Sequence, residues 1–162
     1  MVRCALLRHS ALLLLLLFAV PLHAGLILFT DRASFNAAAP GLPVETFEAG
    51  QVDPGGIVAC PGPLDSSSNN GCFSLGAILP GIQFNSSELH QGEELALAGA
   101  SFFGTSSKLI LSNYYSDSLI IRLLTPVHAI GFDAYTFDGG GGGSLTVSVY
   151  GAGDELLGIT GV

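Results

Sequence analysis

Short apolar, β-prone runs separated by clusters of Gly, Pro, Ser and Asn fill the chain from residue 25 onward. They fall at residues 26–30, 44–47, around Gly81 to Phe84, at 109–111, 119–124, 129–137 and 144–150, and a last one, ELLGI, starts at Glu155. Each has strand length and is bounded by residues that interrupt regular structure, a pattern that predicts antiparallel strands of a sandwich. In LTVSVY, Leu145, Val147 and Val149 alternate with Thr146, Ser148 and Tyr150, which predicts a core strand with a wet outer face. The glycine run after Asp138 then reads as the mobile tip of a hairpin joining 129–137 to 144–150. One helix is expected, in DRASFNAAA, capped by Thr30 or Asp31 and stopped by Pro40 and Gly41. The fold class is therefore all-β, an antiparallel β-sandwich with one short N-terminal helix.

The segment before this pattern has a different character. Arg3 and Arg8 precede an apolar run from Ala11 to Val20, broken by Pro21, and Ala24 stands before Gly25. That order is the three-part plan of a secretory signal peptide, and the run is shorter than the roughly 20 residues a membrane helix needs. Residues 1–24 are read as the signal and 25–162 as one β-sandwich domain, with no membrane span once the signal is cleaved. The location expected is secreted or cell envelope.

Cleavage sharpens both charge and cysteine content. The 162-residue chain carries a formal charge of −8. Beyond residue 24, Arg32, Lys108 and Arg122 are the only strong bases against all thirteen acids, leaving −10. Such a surface repels phosphate backbones, so nucleic acid is not an expected partner. Cys4 goes with the signal, leaving Cys60 and Cys72 in an oxidising compartment, where a disulfide closing the PGPLDSSSNNG loop is the default. Two cysteines fall short of a structural zinc set, and neither His90 nor His128 stands at metal-motif spacing from them.

Catalytic signal is close to nil. No G-x-S-x-G elbow occurs, His128 reads as structural and His90 as a solvated loop residue. Acids are plentiful, but no pair is singled out for hydrolysis. Asp133 and Asp138 flank a strand end beside the glycine-rich run and are candidate calcium ligands, although neither an EF-hand loop nor a G-G-x-G-x-D repeat is present. No other cofactor is expected. Tyr114, Tyr115, Tyr135, Phe102 and Phe103 are candidates for stacking against sugar, with Tyr114 and Tyr135 taken as the ligand contacts.

Several motifs resemble one family. They are FTDRASFNAAAPGLPVETFE from Phe29 to Glu48, the cysteine pair in CPGP and NNGCF, LPGIQF, and DSLIIRLLTPVHAIGFDAYTFDGG leading to VSVYGAGDELLG. Together they are similar to the bacterial exported β-sandwich proteins that end in a PEP-CTERM sorting tail. The matching positions are Phe29, Asp31, Arg32 and Phe35, then Thr46, Phe47 and Glu48, then Pro126, Val127, Ala129, Ile130, Gly131, Phe132 and Asp133. The resemblance implies an extracytoplasmic, jelly-roll-like sandwich akin to carbohydrate-binding modules, with no catalytic residues to carry over. It also implies that this chain is the N-terminal part, lacking the final strands and the sorting tail.

The function expected is therefore a non-enzymatic envelope or extracellular-matrix protein, with extracellular polysaccharide or envelope components as partners. A calcium-stabilised structural or adhesive module is the alternative. A secreted hydrolase using carboxylates on the sandwich comes third.

Overall fold

The computed structural model describes residues 27–135 and 144–161. These form one helix, α1 (Arg32–Ala38), and seven strands: β1 (Ile57–Cys60), β2 (Ile82–Ser86), β3 (Leu95–Ala98), β4 (Leu109–Ser112), β5 (Leu119–Leu123), β6 (Thr146–Tyr150) and β7 (Leu156–Gly161). All strand pairs are antiparallel, in the orders β1-β3-β4, β2-β5 and β6-β7. The all-β expectation holds, with the short helix where the sequence placed it. Asp31 is its cap, accepting a hydrogen bond from Ser34 N at 2.8 Å.

Two of the sheets feed a single core. Val58 and Cys60 of β1, Leu95 and Leu97 of β3 and Ile110 of β4 join Ile82 and Phe84 of β2 and Leu119 and Ile121 of β5 in one cluster. The registers explain this, since Ile82 pairs with Leu123, Phe84 with Ile121 and Ser86 with Leu119, so one side of the β2-β5 ladder is apolar except for the buried Ser86. Gln83 and Asn85 alternate onto the opposite side. Between the strands, Leu64, Phe73 and Ile78 are fully buried, and Phe47 meets Phe84 edge-on with ring centroids 5.2 Å apart.

The disulfide expected between Cys60 and Cys72 is present, and both sulfurs lie in this core. It draws the 61–71 loop across the outer edge of β2, where Leu64 makes a one-residue bridge to Phe84 by bonds of 2.9 and 2.8 Å. An edge that would otherwise present unpaired backbone is thereby covered.

The termini of the described chain depart from the expectations. Residues 44–47 form no strand: Phe47 takes a positive φ of 59° and turns its ring into the core. Residues 27–30 and 129–135 also lie outside any strand: β6 pairs with β7, and the 129–135 segment runs beside α1, with Asp133 on Arg32 and Gly131 against the Phe35 ring. Correspondingly, β6 is no core strand. Its alternation survives as half-buried Val147 and Val149 between exposed Thr146, Ser148 and Tyr150, but none of them joins the core cluster. The glycine-run hairpin tip and the signal peptide lie outside the described residues. No helix among the described residues is long and apolar enough to cross a membrane.

Candidate functional site

Several carboxylates hold loops in place. Glu94, buried at the start of β3, accepts from the backbone N–H of Gly62 at 2.9 Å and of Gly92 at 3.0 Å. Those two bonds hold its carboxyl below the usual range, since each favours the charged form. Glu45 likewise accepts from Phe47 N at 2.7 Å and Leu79 N at 2.8 Å, tying two connections together. Asp65 accepts from the Ser67 hydroxyl at 2.6 Å and from Gln83 Nε2 at 3.0 Å, and these bonds lower its pKa. Glu48 takes the Lys108 backbone N–H at 3.0 Å, while Lys108 Nζ caps the carbonyls of Glu48 and Gly50.

His90 is not a solvated loop histidine. Its Nε2 lies 2.5 Å from Asp117 Oδ2, and its ring stacks on Tyr114 with centroids 3.8 Å apart. Asp117 is the hub, because its carboxylate also accepts from Ser86 Oγ and Ser116 Oγ, each at 3.0 Å. Burial acts to raise the Asp117 pKa, but the bonds from His90, Ser86 and Ser116 outweigh it and the net shift is downward. A nucleophilic triad requires the histidine between serine and acid, whereas here the acid stands between serine and histidine. The cluster joins two connections of the fold. It fastens the β2–β3 connection to the β4–β5 turn, aided by Asn113 Nδ2 donating to Glu93 O at 3.0 Å and Ser118 N to Ser87 Oγ at 3.0 Å.

On the side of the β1-β3-β4 sheet away from the core lies a cleft of about 300 Å³, lined by Ile57, Phe102, Phe103, Leu111, Ser112, Asn113 and Tyr115. Strand alternation places Ile57 and Leu111 there, since their neighbours Val58 and Ile110 point into the core. Phe102 and Phe103, T-shaped with centroids 4.7 Å apart, come from the β3–β4 connection. Tyr115 comes from the β4–β5 turn and is 97% exposed. Three of the aromatic candidates named from sequence thus meet in one place. Tyr114 is held by His90, and neither it nor Tyr135, 61% exposed in the 129–135 segment, lines the cleft.

Ile57, Leu111 and Asn113 were not legible as site residues. The first two look like any strand residue, and the role of Asn113 depends on a turn whose partner lies twenty residues upstream.

Asp133 pairs with the Arg32 guanidinium, Nε donating to Oδ1 at 3.3 Å and Nη2 to Oδ2. Its companion calcium candidate, Asp138, lies outside the described residues. Among the described residues, no group of three or more His, Cys, Asp and Glu side chains is placed to hold a metal. His128 is exposed and outside any strand. Compared with protein-family models, curated proteins and solved structures, the chain matches none of them.

Proposed function

We propose that this chain is an exported, non-enzymatic β-sandwich module of the cell envelope or extracellular matrix that binds glycan, akin to the bacterial exported proteins its motifs resemble. The observation that carries the reading is the Cys60–Cys72 bond inside the core. Such a bond belongs to a chain that folds in an oxidising compartment, in keeping with the signal-like first 24 residues. The sandwich is supported by two antiparallel sheets sending side chains into one cluster. A binding role is favoured over hydrolysis by how the carboxylates are used. Glu45, Asp65, Glu94 and Asp117 each spend carboxylate oxygens on donors within the fold that hold loops in place, and none of the four lines the cleft.

Two measurements test this. N-terminal sequencing of the exported protein should begin at Gly25, and a chain that keeps Met1 and stays in the cytoplasm contradicts export. A glycan array probed with the full chain in calcium should show binding to at least one polysaccharide. Silence across the array removes the glycan part.

A further inference from the structure

We infer that the cleft between Phe102 and Tyr115 is the ligand site and that it takes an uncharged polysaccharide segment, an inference that rests on the glycan-binding reading above. The argument starts from what the lining contains. Of its seven residues, five are apolar or aromatic, two are the polar Ser112 and Asn113, and none is charged. That composition, an apolar wall with a few fixed polar groups, suits a ligand with both an apolar face and hydroxyl edges. A pyranose ring has both, with C–H bonds on its faces and hydroxyls around its rim.

Aromatic rings reach the cleft from two separate connections. Phe102 and Phe103 come from the β3–β4 connection and Tyr115 from the β4–β5 turn, and Leu111 and Ser112 of β4 share the lining with them. At the Tyr115 end the polar group is held still. Asn113 Nδ2 donates to Glu93 O at 3.0 Å, which fixes the amide and leaves Oδ1 as an acceptor. Ser112 Oγ donates to Tyr114 O at 3.1 Å, stiffening the same turn.

Charge narrows the ligand further. The chain bears a formal charge of −8, so anionic polymers are repelled before they arrive. Aromatic platforms for single-stranded nucleic acid pair their rings with a basic groove, and no Lys or Arg lines this cleft. A neutral glycan meets no such opposition from this surface.

The test uses the full chain and measures affinity for laminarin and dextran, which are neutral, and for alginate, which is anionic. Variants are Phe102→Ala, Tyr115→Ala and Tyr135→Ala, each checked for an unchanged melting temperature. The expected result is binding of at least one neutral polymer and not of alginate, weakened tenfold or more by Phe102→Ala and Tyr115→Ala and left unchanged by Tyr135→Ala. Wild-type binding that survives both cleft substitutions overturns the site while leaving the glycan reading intact. Absence of binding to every neutral glycan tried, here and on the array, overturns both. Sedimentation that shows a dimer dissolved by the cleft substitutions makes the cleft a contact between copies and overturns the inference.

Discussion

His90 Nε2 lies 2.5 Å from Asp117 Oδ2, joining the β2–β3 connection to the turn that carries Tyr115. The His90 side chain is 27% exposed and that of Asp117 only 2%, so the bond sits at the edge of the buried interior. Removing the imidazole leaves the carboxylate without one of its three donors. His90→Ala and Asp117→Asn should each lower the melting temperature, and the double variant should lose less than the two separate losses combined, as residues sharing one bond do. Additive losses would mean that the two side chains act independently.

Removal of the Cys60–Cys72 bond should be the costliest single change tested. It closes a twelve-residue separation, for which the chain-entropy estimate is roughly 3 kcal/mol. Denaturant unfolding of Cys60→Ala/Cys72→Ala against the oxidised parent checks this, and a difference under about 1 kcal/mol would show that the loop needs no closure.

Gly50 is a tight point of the core. A Cβ there would lie 2.5 Å from Leu97 Cδ2 and 3.0 Å from both Phe73 Cε1 and the Phe47 carbonyl. Gly50→Ala should therefore destabilise by about 1–3 kcal/mol, the usual cost of forcing an extra methyl into a packed interior. Gly41→Ala makes the comparison, because open space surrounds Gly41 and only its positive φ of 73° opposes a side chain.

Acid should unfold this protein through its loop-holding carboxylates. Glu94 and Asp65 both have pKa values below their ordinary 4.5 and 3.8, the first through the Gly62 and Gly92 amides, the second through Ser67 and Gln83. A group whose folded pKa is depressed contributes stability that is complete above its unfolded value and disappears as pH falls through the folded one. Urea midpoints should thus be flat from neutrality to about pH 5 and fall steeply below about pH 4. Glu94→Ala should shallow the fall, and a midpoint independent of pH down to 3 would contradict the assignment.

The antiparallel character, the helix with its Asp31 cap and the disulfide were readable because each rests on a local signal: breaker spacing, a capping side chain and two cysteines around a turn-rich loop. The strands β1 and β3 were not. LALA in β3 has neither β-branched residues nor alternation, since all four side chains are buried and its strand state is imposed by the neighbours on both edges. The reverse happened at 129–135, which carries a strand pattern but lies against α1 through Arg32 and Phe35, with Ile130 and Phe132 exposed. The aromatic candidates were legible as residue types, but which of them would meet depended on two loops being brought to one sheet face. His90 shows the same limit, because its partner lies twenty-seven positions away and no short motif announces it.

The most direct test of the ligand surface is amide chemical-shift mapping of the full, disulfide-bonded chain titrated with the neutral polymer it binds best. The account predicts shifts gathered at Ile57, Phe102, Phe103, Leu111, Ser112, Asn113 and Tyr115. Shifts confined instead to residues 27–46 or 144–161, with that group unmoved, would contradict it.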